Sequence, residues 1–199
     1  MPLTLANRIT IIRILAIPFF ILMLIYYSSG FAKSQGVALL RWCATGIFLG
    51  IFLLDAVDGY VARVRREITS LGTILDPLAD KAILLSALIL LSLPASASAF
   101  QPHLPMWFLL VAISRDAILV TGAAIIQSIM GTVTVRPRVT GKIATFFQGT
   151  VVVWSLIGFP PAPFPWVLCT TAFFTLVSAV QYVFDGMRQL EKANHEGTP

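Results

Sequence analysis

Four aspartates carry the strongest chemical signal in this chain. Asp55 and Asp58 stand three residues apart at the end of one long apolar run. Asp76 and Asp80 stand four apart at the start of the next. On helices both spacings put the paired residues on one face. Together they are four of the nine acidic residues in the sequence. Carboxylates are expensive in apolar segments and are functional candidates there. Four of them on two helices repel one another unless a counter-ion joins them. An all-oxygen donor set is hard and suits Mg²⁺, Mn²⁺ or Ca²⁺ rather than zinc. Gly59 directly follows Asp58 and lets backbone or substrate approach closely. Ala62 keeps the face of Asp55 unobstructed, and Arg63 offers a fork of donors to a phosphate. Gly72 is placed to start or bend the next helix. Acids, small residues and an arginine together read as a site for a metal-bound pyrophosphate. The plainer reading is a set of ion pairs with Arg63, Arg65, Arg66 and Lys81, or a proton path.

The elements that must position these residues are apolar and long. The chain has 199 residues, of which 57% are hydrophobic and 12% charged. A soluble domain carries about 25% charged residues, so an integral membrane protein with one domain over residues 1–199 is expected. The expected fold class is all-α, with six transmembrane helices and a short interfacial helical lead-in. The spans read as Ile9–Tyr27, with Pro18 a possible kink, Val37–Val61, Leu71–Leu93, Met106–Met130, Ile143–Gly158 and Trp166–Tyr182, each near the ~20 residues a span needs. A polar tail follows the last. The net charge of +5 fits basic loops and anionic lipid rather than nucleic acid. Cys43 and Cys169 lie in separate apolar runs and read as small core hydrophobes.

Basic residues set the orientation. Arg8 and Arg13, then Arg63, Arg65 and Arg66, then Arg136, Arg138 and Lys142, then Arg188 and Lys192 mark alternate connections. The third and fifth loops have none, and Lys33 with Arg41 is the discordant count. Both termini and the ends of the Asp-bearing helices are therefore expected on the cytoplasmic side. A bacterial inner membrane is the expected location. A second polar cluster comprises Arg115 and Asp116 inside the fourth span, with Arg136, Arg138 and Lys142 after it. Such cations suit phosphate recognition. Cytoplasmic anchoring is the plainer reading of the loop residues.

The series Asp55, Asp58, Gly59, Ala62, Arg63, Gly72, Asp76 and Asp80, with its spacing, resembles the signature of the CDP-alcohol phosphatidyltransferases at all eight fixed positions. The resemblance extends to length and hydropathy over nearly the whole chain. It implies transfer of a phosphatidyl group from CDP-diacylglycerol to an alcohol, with release of CMP. It implies a site holding Mg²⁺ or Mn²⁺, two ions, on Asp55, Asp58, Asp76 and Asp80, with Asp80 also the base that deprotonates the acceptor hydroxyl. Gly59, Ala62, Arg63 and Gly72 would cradle the CMP half. Asn7, Ile9, Thr10 and Arg13 resemble a pattern that approaches the nucleotide in the phosphatidylglycerol-related branch. A six-helix homodimer is the family's usual form.

The acceptor is less defined. Arg115, Arg136, Arg138 and Lys142 are the expected contacts to an acceptor phosphate. Ile113 to Asp116 looks like the corresponding stretch of CMP-forming cardiolipin synthases. Phosphatidylglycerophosphate synthases tend to carry a second arginine about two turns later, where this chain has Ala123. Gly141-Lys142 is similar to a pair in both groups. These features point to a glycerol-based acceptor and favour phosphatidylglycerol over glycerol 3-phosphate. Inositol phosphate or serine is the alternative acceptor. An Asp-rich prenyltransferase and an ion carrier are the alternative functions, and neither would release CMP from CDP-diacylglycerol.

Overall fold

A backbone surrounded by hydrocarbon must bond its own N–H and C=O groups, and a helix does so within one segment. Among the described residues the apolar runs accordingly form six helices: α1 Leu5–Ser28, α2 Ala38–Arg65, α3 Ser70–Ser92, α4 Met106–Met130, α5 Val139–Ile157 and α6 Phe164–Glu196. A 3₁₀ turn at Pro94–Ser96 follows α3. The structure is a computed structural model that describes residues 5–29, 38–65, 70–130 and 139–196. Side chains are described at 11–29, 38–52, 81–128, 139–189 and 191.

Among the described residues, three helices are long and apolar enough to cross a membrane, over Ile11–Ser28, Met106–Ser128 and Phe164–Gln189. Shorter apolar stretches cover Ala38–Phe52 and Lys81–Ser92. The described residues are thus all-helical, with the composition of a membrane protein and six helices, three of which have the length and hydropathy of a span. Residues 5–10, expected as a short interfacial helical lead-in, are the first turns of α1 and continuous with its span. One detail differs from the sequence reading. The polar tail is helical to Glu196, because Met187, Arg188, Gln189, Leu190, Glu191, Lys192 and Ala193 are all good helix formers. Pro18 sits inside α1, which continues through it.

The helices fall into two compact units. The first contains α1, α2, α3, the segment to Leu104 and the end of α5. Here α1 packs on α2 and α3. Phe20, Leu24, Ala44 and Phe48 are buried with Ala87, Leu88 and Leu91 of α3, and the rings of Phe20 and Phe48 lie 5.9 Å apart. The second unit contains α4, α5 up to Val151, and α6. There α4 packs on α6, and Phe147 stacks on Phe174 at 5.7 Å.

Outward-facing positions are apolar too: Val120 is 71% exposed and Trp166 78%. Lipid is as apolar as leucine, so outward apolar faces carry no penalty in a bilayer. For the same reason Cys43 and Cys169 are exposed, contrary to their expected place in the core. Hydroxyls within the helices bond back one turn. Thr45 donates to the Arg41 carbonyl at 2.8 Å, Thr170 to Trp166 at 2.8 Å and Thr175 to Thr171 at 2.8 Å. This back-bonding satisfies a polar group with no help from another helix.

Arg41, half of the discordant basic count, has a structural use in the first unit. Its Nε donates to the Leu156 carbonyl at 2.5 Å, in the last turn of α5. The guanidinium carbon lies 5.9 Å from the centre of the Tyr27 ring and 5.8 Å from that of Phe100. A cation there complements the negative end of the helix dipole and the ring faces. Gly158 ends the same helix at φ 78°. The Phe159 N–H reaches back to the Trp154 carbonyl at 3.2 Å, and the two rings meet at 5.4 Å. These are the backward bond and apolar contact of a glycine-terminated helix. A Cβ on Gly158 would stand 2.5 Å from Arg41 Nη2. Gly158→Ala should therefore destabilise both through backbone strain and by displacing the guanidinium. Arg41→Ala should cost about 1–3 kcal/mol. Thermal unfolding of the purified protein in one detergent measures both, and unchanged midpoints would refute this account of the α5 terminus.

Candidate functional site

The acidic residues lie on two successive helices of the first unit. Asp55 and Asp58 are on α2 with Gly59, Ala62 and Arg63, while Gly72, Asp76 and Asp80 are on α3. The two helices are in contact and are joined by residues 66–69. Register relates the two pairs. Asp58 lies seven residues from the end of α2, and Asp76 six residues into α3. Asp55 and Asp80 each lie ten residues from those ends. At about 1.5 Å per residue, Asp58 and Asp76 stand roughly 10 Å, and Asp55 and Asp80 roughly 15 Å, from the helix ends that flank residues 66–69. Asn7 and Thr10 are in the first two turns of α1, which packs on both acidic helices. The side chains of Asn7, Thr10 and residues 53–80 lie outside the described residues.

This placement fits the donor set of a hard divalent cation. The residues that could hold it are all carboxylates, one pair on α2 and one on α3. Among the residues with described side chains, no group of three or more His, Cys, Asp or Glu could hold a metal ion.

The second cluster is built by α4, α5 and α6 within the second unit. Arg115 is 6% exposed on α4. Its Nη1 donates to Asp116 Oδ1 at 2.7 Å, and its Nη2 donates to Ser178 Oγ on α6 at 3.3 Å. Among the described residues its buried Nε has no hydrogen-bond partner. Gly141 of α5 lies against the same guanidinium: a Cβ there would stand 3.1 Å from Nη2 and 3.4 Å from Ser178 Oγ. Around it, Thr140 donates to Gln181 Oε1 at 2.7 Å, and Gln148 donates to the Thr175 hydroxyl at 3.3 Å. Lys142 is exposed on α5. Arg136 and Arg138 lie outside the described residues.

A buried guanidinium with two nitrogens engaged and a third unmet is suited to an anion, because its donors form a planar fork that matches phosphate oxygens. The sequence identified Arg115, Asp116 and the Gly141-Lys142 pair. It did not identify Ser178, the one serine of α6, for which only its helical spacing from Thr171 and Thr175 was available as a signal.

Comparison with known proteins assigns the chain. The model of the family described as CDP-alcohol phosphatidyltransferase matches residues 3–181. A CDP-diacylglycerol–glycerol-3-phosphate 3-phosphatidyltransferase of Bacillus subtilis is 33% identical over 96% of this chain and 98% of its own length. A CMP-forming cardiolipin synthase of Streptomyces coelicolor is 32% identical over 72% of this chain and 60% of its own length. A probable phosphatidylglycerophosphate synthase of Mycobacterium tuberculosis is 29% identical over 94% of this chain and 83% of its own length. The chain belongs to the CDP-alcohol phosphatidyltransferase family and is a transferase. Members of this family generally use divalent metal ions.

From the carboxylate placement we expect exhaustive chelation to abolish turnover. Magnesium or manganese should restore it, and zinc should not. Full activity after chelation, measured as CMP release, would remove the metal from the reading.

Proposed function

We propose that this member of the family transfers the phosphatidyl group of CDP-diacylglycerol to a glycerol-based alcohol that carries a phosphate, releasing CMP. It thus takes part in phospholipid synthesis. The observation that carries the choice of acceptor is the buried Arg115, whose Nε has no hydrogen-bond partner among the described residues. Serine carries no phosphate to meet that guanidinium. Inositol phosphate would meet it, but the relatives described above are named for glycerol 3-phosphate, cardiolipin and phosphatidylglycerophosphate.

In this proposal Asp55, Asp58, Asp76 and Asp80 hold the divalent cations, two in number. When bound, the cations neutralise pyrophosphate charge and favour departure of CMP. Gly59, Ala62, Arg63, Gly72, Asn7 and Thr10 bind the CMP half. Asp80 takes the proton of the acceptor hydroxyl. The hydroxyl oxygen forms a bond to the phosphatidyl phosphorus as the bond from that phosphorus to the CMP oxygen breaks. Arg115, Arg136, Arg138 and Lys142 bind the acceptor phosphate.

Glycerol 3-phosphate is supported by similarity over 98% of the Bacillus enzyme's length. Phosphatidylglycerol is supported by Ala123, which stands where a second arginine is expected for glycerol 3-phosphate. We also propose that the six helices all cross a bacterial inner membrane with both termini cytoplasmic. The family match spans residues from both compact units, which supports one catalytic domain. A homodimer follows from the resemblance.

Two outcomes are expected. Asp80→Asn should abolish turnover while retaining CDP-diacylglycerol binding, whereas Asp55→Asn and Asp76→Asn should weaken both. Binding and single-turnover measurements on the folded variants decide this, and near-normal turnover in Asp80→Asn would remove the base assignment. In parallel product assays with glycerol 3-phosphate, phosphatidylglycerol, serine and inositol phosphate, a glycerol-based product should form. For that acceptor Arg115→Ala should lower kcat/KM roughly ten- to a hundredfold, the range for a lost charge-assisted contact. Exclusive formation of phosphatidylserine or phosphatidylinositol phosphate would defeat the choice of acceptor.

A further inference from the structure

A guanidinium on a three-carbon stem has many rotamers, and its value as an anion receptor depends on which edge it presents. In α4 that choice is constrained from three sides. Asp116 engages Nη1 at 2.7 Å. Ser178 engages Nη2 at 3.3 Å. Gly141 supplies bare backbone against Nη2, where a methyl group would stand 3.1 Å away. The behaviour of Ser178 differs from that of the hydroxyls next to it on α6. Thr171 donates to the Val167 carbonyl at 2.6 Å and Thr175 to the Thr171 carbonyl at 2.8 Å. Those two are satisfied within their own helix, whereas the Ser178 oxygen meets Arg115 on another. The Gln148–Thr175 bond, one turn away on α6, ties α5 to α6 and so holds Gly141 at this level.

We propose that Ser178 and Gly141 are positioning residues that fix the direction in which Arg115 presents its unmet Nε edge to the acceptor phosphate. The inference rests on the reading of Arg115 as an acceptor contact. Removing the Ser178 oxygen frees Nη2 to turn. Adding a methyl at Gly141 displaces it by a few tenths of an ångström. Either change misdirects the fork without removing charge.

The test is steady-state kinetics of the full-length protein in mixed micelles with CDP-diacylglycerol, using glycerol 3-phosphate and phosphatidylglycerol in turn as acceptor. For the acceptor that is used, Ser178→Ala and Gly141→Ala should each raise its KM by roughly three- to tenfold, the range for a lost hydrogen bond. The kcat and the KM for CDP-diacylglycerol should change by less than about twofold on the same scale. Ser178→Thr, which keeps the oxygen, should restore the acceptor KM. In an Arg115→Ala background, Ser178→Ala should add nothing, because it acts through the missing group. An unchanged acceptor KM in both single variants would overturn the proposal. So would a full additional effect in the double variant, or a loss that threonine does not rescue. If Ser178→Ala does not remain monodisperse, Gly141→Ala and its combination with Arg115→Ala decide the matter alone. If Arg115→Ala itself leaves the acceptor KM unmoved, the acceptor reading fails. If only that variant raises the KM, positioning alone fails.

Discussion

A charged side chain in an apolar bundle costs several kcal/mol unless a partner or a polar cavity meets it. The placement of polar groups in this chain follows from that constraint. Arg115, nearly enclosed, has Asp116 beside it and Ser178 opposite. Arg41 finds the carbonyl end of α5 and two ring faces. Hydroxyls return to their own helices. The four aspartates are the extreme case, since like charges cannot satisfy one another. They stand on α2 and α3, and the proposed divalent cations would relieve that repulsion.

The polar residues divide between the two compact units. The first carries the four aspartates and the residues proposed to receive the nucleotide. The second carries the buried arginine and its frame. In a bundle of this kind hydrophobicity cannot drive one helix onto another, because lipid offers the same environment. Packing and side-chain hydrogen bonds must do so instead. The Gln148–Thr175 and Thr140–Gln181 bonds between α5 and α6 therefore serve cohesion, and through it the surroundings of Arg115.

Much of this was legible in the sequence, for identifiable reasons. An apolar run near the length of a span has one stable backbone solution, so helix number and type followed directly. The run Met106–Met130 matches α4 at both ends. Boundaries shifted where polar residues are also good helix formers, as in α6, or where the helix begins in a basic connection, as at Val139 in α5. The aspartates were legible because carboxylates are rare in apolar runs and these fall at helical spacing. Ser178 and Arg41 were not, since their partners lie 63 and 115 positions away and only the fold brings them together. The cysteines misled because burial rules learned in water do not hold for faces turned to lipid.

The adjacency of Arg115 and Asp116 also bears on how the protein is made. Helices enter the bilayer in chain order, and α4 emerges before Ser178 has been synthesised. An unpaired arginine near the middle of a helix raises the insertion cost by about 2.5–3.5 kcal/mol. With Asp116 as the very next residue, bonded at 2.7 Å, α4 carries its counter-charge from the start. It can partition as a neutral dipole, and the ribosome can deliver α5 and α6 to a helix already at rest in the membrane.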